Sequence, residues 1–115
     1  MRFCSPKVIK YLANPVDNLV STMRTYPYRI NQRILLRDCD GRIMGYGVIV
    51  DASTPTTNVL EKWLKYSGFS SVNEWIREAH RLHRRKPRYV YLVKILEIKC
   101  SEDDEDIYEK PLTKR

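Results

Sequence analysis

The chain has 115 residues, with only four glycines, three cysteines and two histidines and no long apolar run. A membrane-spanning helix needs roughly 18 or more consecutive apolar residues. No stretch here approaches that length, so we expect no membrane partner. The N-terminus, MRFCSPKVIKYLANP, has no sustained apolar segment. We therefore expect no signal peptide and a cytoplasmic location.

The cysteines give little support for a metal site or a crosslink. Cys4, Cys39 and Cys100 are widely spaced and form no CxxC pair, which argues against structural zinc. Cys4 and Cys100 could pair if the terminal strands meet. We nevertheless predict reduced cysteines, because an intracellular disulfide is expected chiefly in a hyperthermophile. His80 and His83 stand three residues apart without a further ligand, so we predict no metal and no cofactor.

Catalytic and nucleotide-binding motifs are also missing. The chain has no P-loop and no G-x-G-x-x-G, and Gly45-Tyr46-Gly47 lies inside a predicted strand without a following helix. No serine or threonine has a partner histidine and aspartate at a suggestive spacing. We therefore predict no catalytic residues from the motifs alone.

Positive charge is abundant by contrast. The formal net charge is +7, yet residues 101–115 hold six of the 14 acidic residues and only three of the 21 Lys and Arg. Residues 1–100 alone therefore carry +10. A domain with this charge attracts polyanions, and nucleic acid is the partner that fits best. The alternative is ordinary solubilising charge.

The length predicts one domain over residues 1–100, followed by an acidic and partly disordered tail over 101–115. Hydrophobic periodicity and caps predict strands at 33–38, 42–51 and 88–99 and helices at 6–13, 58–67 and from Ser71 to Pro87. Asp40-Gly41 predicts a hairpin turn, and Gly45 and Gly47 predict a close approach or a sharp bend. The order predicts an α+β fold: a small, curled or partly open β-barrel with two to three helices packed on one side.

Several segments resemble the ASCH family, a branch of the PUA-like folds. The main match is GFSSVNEWI, which begins at Gly68, followed by Leu82-His83 and the segment 89–93. A second match is Thr22-Met23-Arg24, then ILL from Ile34 and GYGV from Gly45. The resemblance covers residues 8–98 and implies a role with RNA or nucleic acid and a cleft between barrel and helices. Some family members are reported as hydrolases of modified nucleosides or as nucleases.

The resemblance also argues against that chemistry here. The family signature G-x-K-x-x-E-x-R, aligned on Arg24, places Asp17 at its Gly position, Leu19 at its Lys position and Thr22 at its Glu position. Leucine cannot serve as a base or nucleophile. We therefore lean towards a protein that is not an enzyme.

The candidate nucleic-acid-binding residues combine arginine with tyrosine. Arginine offers a planar fork of donors suited to phosphate or a base edge, and aromatic rings stack on bases. Arg24 is the leading candidate for the cleft, and we expect Tyr46 to line a pocket. The densest basic run lies between Arg81 and Arg88, and helical spacing places it broadly on one face of the third predicted helix. We expect it to extend the binding surface, although cations also stabilise the C-terminus of a helix. The full set is Arg24, Tyr26, Arg29, Arg33, Tyr46, Arg81, Arg84, Arg85, Lys86 and Arg88.

Each of these residues also has a structural interpretation. Arg24 could form a structural salt bridge, Tyr26 and Tyr28 could cover the open end of the barrel, and the basic run could be a solvated face. The first hypothesis is a monomeric domain that binds RNA or single-stranded nucleic acid without catalysis. The alternatives are a hydrolase of nucleosides or RNA, and a protein-interaction module whose acidic tail docks on the basic face. A cleft beside Arg24 with a partnered carboxylate would reopen catalysis.

Overall fold

The structure is a computed structural model that describes residues 1–98. Cys100 and the predicted acidic tail, 101–115, lie outside the described residues. The elements are α1 (Pro6–Leu12), β1 (Leu19–Arg24), β2 (Arg33–Arg37), β3 (Ile43–Ser53), α2 (Thr57–Trp63), α3 (Val72–Leu82) and β4 (Tyr89–Ile98). Short 3-10 turns at Val16–Asn18 and Leu64–Tyr66 precede β1 and follow α2. In residues 1–98, no helix has the length and apolar character needed to cross a membrane.

The strands form one antiparallel sheet in the order β1-β4-β3-β2. Residues 1–5, which we call the N-terminal segment, extend the sheet beside β2. Phe3 N donates to Arg37 O at 2.9 Å, and Arg37 N donates to Met1 O at 2.8 Å. The curl of the sheet brings this segment back to the end of β1, where the Arg24 guanidinium lies over the Phe3 ring, 4.8 Å from its centroid. The result is a curled sheet with helices, and the predicted α+β class is confirmed.

Strand β4 is covered on both faces, as its apolar sequence predicts. Tyr91, Val93 and Ile95 face one cluster of buried side chains, which includes residues of α1, β2 and β3. Val90 faces a second cluster with Trp63 and Trp75 of the other two helices. Both tryptophans are therefore packing residues, as predicted, and β4 joins the two halves of the core.

Glycine is required where β3 passes β4. A Cβ on Gly45 would collide with the Glu97 carbonyl oxygen, and one on Gly47 would lie 2.5 Å from the Lys94 oxygen. The β3–β4 register shifts between Tyr46 and Gly47. The two glycines thus permit a bulged, closely packed bend, which is one of the two outcomes that their spacing predicts.

The predicted starts of α2 and α3 agree with the structure to within one residue, but α3 ends at Leu82 rather than at Pro87, and α1 lacks the predicted side-chain cap. Gly68 stops the second helical segment with φ of 88°, and the Ser71 hydroxyl accepts from Glu74 N at 3.1 Å. The Glu74 carboxylate reaches back to Ser70 N, at 3.0 Å, rather than to Ser71. Ser5 occupies the N-cap position of α1, but its side chain makes no capping hydrogen bond.

The prediction that all cysteines are reduced is wrong, since Cys4 forms a disulfide with Cys39. The N-terminal segment runs beside β2, which brings Cys4 to the hairpin turn that carries Cys39, with 4.5 Å between their Cα atoms. The alternative partner, Cys100, lies outside the described residues. The bond fastens the N-terminal segment to the β2–β3 hairpin.

Candidate functional site

A cleft of about 190 Å³ opens between the N-terminal segment, the end of β1 and the inner face of α3. Its polar side chains come from all three: Arg2, Ser5, Ser21, Thr22, Arg24, Glu78 and His83. Aromatic and aliphatic side chains, among them Phe3, Phe69 and Trp75, form its remaining walls. A cleft with mostly apolar walls and a few convergent polar groups is typical of a ligand site.

The sequence predicts Arg24 as the leading residue of a cleft, and Arg24 does line this one. It lies two residues beyond Thr22 on β1, so both side chains point to the same face, and Arg24 Nε donates to Thr22 Oγ1 at 3.0 Å. Burial lowers the pKa of Arg24 to about 10, so the guanidinium stays protonated at neutral pH. It is a cation held away from bulk water.

Arg24 has no carboxylate partner within residues 1–98. The ion pairs of this region join Lys7 to Glu74 and Arg81 to Glu78. The Arg24 Nη atoms make no hydrogen bond to a described residue. Within residues 1–98, every polar side-chain atom that lacks a hydrogen-bond partner is accessible to solvent, so the Nη atoms are accessible too. The Nη donors therefore reach solvent through the cleft, and the structural salt bridge that we considered for Arg24 is absent among the described residues.

Glu78 supplies a carboxylate at the same cleft. Arg81 holds it with two hydrogen bonds, Nε to Oε1 at 3.0 Å and Nη2 to Oε2 at 2.6 Å. These bonds are the main reason that the pKa of Glu78 lies below its ordinary value. The carboxylate is therefore ionised at neutral pH, and its charge is largely met by Arg81.

His83 lies just beyond the end of α3, at the cleft wall. Its Nε2 lies 3.1 Å from the Met23 carbonyl oxygen, which only accepts, so Nε2 carries the proton. Burial lowers the pKa of His83, and the positive charge of Arg24 lowers it further. The hydrogen bond to Met23 raises this pKa but does not outweigh burial. At neutral pH the ring is neutral, and its Nδ1 is an acceptor.

Protonation of His83 is predicted to destabilise the fold. Its folded pKa lies below the ordinary value of 6.5, so the unfolded chain takes up the proton first as the pH falls. The stability contributed by neutral His83 is present above pH of about 6.5 and is lost as pH falls through the folded pKa. Thermal unfolding between about pH 7.5 and 5 should show a steeper loss for the wild type than for His83→Gln, which retains a donor for Met23. Equal pH slopes would contradict this account.

A chain of tyrosines borders the end of β1. Tyr91 is buried; its hydroxyl donates to Tyr26 O at 3.1 Å and accepts from Tyr28 N at 2.7 Å. The Tyr28 ring packs edge-on against Tyr91 at 5.3 Å and against Tyr26 at 5.2 Å. Tyr28 therefore covers the core, while Tyr26 remains 64% exposed and presents its ring to solvent.

The basic run does not lie on one helix face as predicted. Helix α3 ends at Leu82, and His83 already has an extended backbone, so Arg84 and Arg85 follow in an irregular segment. Arg88 N donates to Arg24 O at 3.1 Å, which ties this segment to the end of β1. We call the exposed residues Arg84, Arg85, Lys86 and Arg88 the basic segment. It directly follows a residue of the cleft wall, whereas Arg81 is engaged with Glu78.

The other candidates lie outside the walls of this cleft. Arg29 and Arg33 are exposed before and at the start of β2. Tyr46, 37% exposed, pairs with Leu35 and Glu97 on the sheet and is not among the residues that line this cleft. Among residues 1–98, no group of three or more His, Cys, Asp or Glu is arranged to hold a metal ion.

Sequence reasoning missed Phe3, Glu78 and the cleft position of His83. Phe3 reaches Arg24 only through the curl of the sheet, and nothing in the local sequence signals that contact. Glu78 stands three residues before Arg81, a spacing that pairs side chains on a helix. This spacing could have predicted that the Glu78 carboxylate pairs with Arg81.

Comparisons with known proteins identify a viral relative. No family model matches the chain. Over 86 residues, covering 75% of this chain and 80% of the relative, it is 35% identical to "Uncharacterized protein 105" of Sulfolobus islandicus rod-shaped virus 1. The chain belongs to the family of this viral protein.

The fold is also found among solved structures. A crystal structure of a mutant of the ASCH protein ZmASCH from Zymomonas mobilis matches with a TM-score of 0.51 and 11% sequence identity. The match covers 85% of this chain and 69% of that protein. This chain therefore has an ASCH-type, PUA-like α+β fold, as the sequence resemblance implies, and at this identity the likeness concerns the fold alone.

Proposed function

We propose that this protein binds RNA or single-stranded nucleic acid at the cleft around Arg24 and does not act on it chemically. The observation that carries the proposal is the guanidinium of Arg24, which is half-buried, charged and free of any carboxylate among the described residues. Holding an unpaired charge away from water costs free energy. An anionic ligand that enters the cleft would recover that cost.

The basic segment supports a polyanion rather than a small anion. Its four side chains are exposed, and its backbone is bonded to Arg24 at one end of the cleft. A strand with one phosphate at Arg24 would continue along these cations. Tyr26 lies two residues after Arg24 in the chain, and its exposed ring is suited to stack on a base of that strand. Arg29, Arg33 and Tyr46 stay candidates for contacts beyond the cleft.

The salt dependence of binding tests this function. Contacts from Arg24 and the four side chains of the basic segment would neutralise about five phosphates, which for a single strand gives a slope of log K against log salt near −3.5. We expect the affinity for single-stranded RNA, followed by fluorescence polarisation, to fall about 100-fold between about 50 and 200 mM salt.

A charge-matched pair of variants provides the control for that slope. The triple change Arg84→Ala, Arg85→Ala, Lys86→Ala should reduce the slope by about two. The triple change Arg42→Ala, Lys62→Ala, Lys65→Ala removes the same charge from other exposed positions and should leave the slope nearly unchanged. Equal effects of the two triples would mean that only net charge matters, and the proposed interface would be wrong.

A hydrolase of nucleosides or RNA is the second candidate, favoured by Glu78 and neutral His83 in the same cleft. His83 Nδ1 is an available base, whereas Glu78 is ionised and held by Arg81. Leu19, at the family's lysine position, alternates with Arg24 on β1 and so points to the other face. Survival of RNA and of acetylated nucleosides during long incubation with the protein would exclude this function.

A further inference from the structure

We infer that the cleft is specific for a terminal phosphate of a nucleic acid strand, a phosphomonoester, rather than for phosphates within the strand. This inference rests on the proposed function and names the group that occupies the Arg24 site. Three features carry it: the free donors of Arg24, the cationic surroundings, and the size of the cleft.

The first feature is the hydrogen-bonding capacity of Arg24. A guanidinium has five N–H donors, and within residues 1–98 only Nε is engaged, by Thr22. The remaining donors belong to the two Nη atoms, which reach the open cleft. Such a fork binds two oxygens of one phosphate at once. A terminal phosphate has three unesterified oxygens, whereas an internal phosphodiester has two and is esterified on both sides.

The second feature is the charge around the fork. A second cation, Arg2, lines the same cleft as Arg24. The charges of Arg24, Arg37 and Arg2 also add to burial in lowering the pKa of the Met1 ammonium. The carboxylate of the cleft, Glu78, is engaged by two hydrogen bonds from Arg81. The surroundings of Arg24 are thus cationic. A terminal phosphate carries a charge of about −1.5 to −2 at neutral pH, compared with about −1 for a diester, and gains more from such a site.

The third feature is size. The cleft holds about 190 Å³, which is less than the roughly 300–1,000 Å³ of pockets that enclose drug-sized molecules. Phe3 lies against the guanidinium on one side, and the Cys4–Cys39 disulfide fixes that wall. An internal phosphate would need space for a nucleotide on each side. A strand end needs space on one side, and the basic segment lies next to the cleft to receive the rest of the strand.

The test compares three single-stranded RNAs of one sequence, with a 5′-phosphate, a 3′-phosphate, or hydroxyl groups at both ends. We expect one phosphorylated end to bind the wild type roughly ten- to hundredfold more tightly than the hydroxyl strand, the range for hydrogen bonds to charged groups. Which end is preferred identifies the direction of the strand. Arg24→Ala should bind all three strands within about twofold of one another, and Arg42→Ala, which removes an exposed arginine of the hairpin, should keep the preference.

The outcomes separate this inference from the proposed function. Equal affinity of the wild type for all three RNAs, with the expected salt slope, overturns the terminal-phosphate site and leaves RNA binding intact. A preference that persists in Arg24→Ala also overturns it, since another group would then read the strand end. If Arg24→Ala fails to fold, Arg24→Lys serves instead, because lysine keeps the charge and loses the fork; full preference in that variant would contradict bidentate recognition. Binding of none of the strands refutes both proposals.

Discussion

Replacing Arg24 by alanine is expected to weaken binding of single-stranded RNA roughly ten- to hundredfold. The reason is the loss of charge-assisted hydrogen bonds, each worth about 1.5–3 kcal/mol, at the centre of the interface. The fold should survive, because the loss of the Thr22 hydrogen bond and of the Phe3 contact is offset by the removal of a half-buried charge that has no ion-pair partner among residues 1–98. We expect the free energy of unfolding to change by about 1 kcal/mol or less. Fluorescence polarisation and thermal unfolding measure the two quantities.

Two further variants make the Arg24 result specific. Arg42→Ala carries the same charge change on an exposed residue and should reduce affinity by less than about threefold. Arg24→Lys should retain part of the affinity, since a point charge replaces the fork. Similar losses in Arg24→Ala and Arg42→Ala would refute a special role for the cleft.

Removing the Cys4–Cys39 disulfide is expected to give the largest loss of stability. The bond joins residues 35 apart in sequence. In the chain-entropy account, a loop of this length is worth about 4 kcal/mol. For a domain of this size such a loss lowers Tm by roughly 15 °C or more. Thermal unfolding of Cys39→Ser, followed by circular dichroism, measures the effect.

The reduced wild type provides the matched comparison for the disulfide. Cys4→Ser and Cys39→Ser should each reproduce the Tm of the wild type in dithiothreitol, and reductant should not lower the Tm of either variant further. A wild type whose Tm is insensitive to reductant would contradict a disulfide in the folded protein. Because Phe3 and Cys4 form the wall beside Arg24, the reduced protein should also bind RNA less tightly.

Local signals in the sequence predict most of the elements. Gly68, Ser71 and Asp40-Gly41 mark a helix stop, a cap and a hairpin, and each works within a few residues of chain. The apolar character of β4 on both faces predicts its central position between two core clusters. Even so, the end of α3 was misplaced, since cations suit the last turn of a helix as well as the segment beyond it.

The candidate site was predictable only in part, because its contacts are distant in sequence. Arg24 was identified from the family resemblance, yet its neighbours Phe3 and His83 come from opposite ends of the described chain. The Cys4–Cys39 bond depends on the parallel bridge between the N-terminal segment and β2, which no local pattern encodes. Tyr46 has the pattern of a pocket residue, but the curl of the sheet leaves it outside this cleft.

Nuclear magnetic resonance of the ¹⁵N-labelled protein tests most directly where nucleic acid binds. On addition of a single-stranded RNA of about ten nucleotides, we predict that the Arg24 Nε–H signal and the backbone amides of residues 22–24, 83–86 and 88 shift together. Amides around Leu35 and Leu96, two exposed apolar residues of the sheet, should stay in place. Saturable shifts confined to those sheet residues, with Arg24 Nε–H unmoved, would contradict the proposal that the cleft is the binding site.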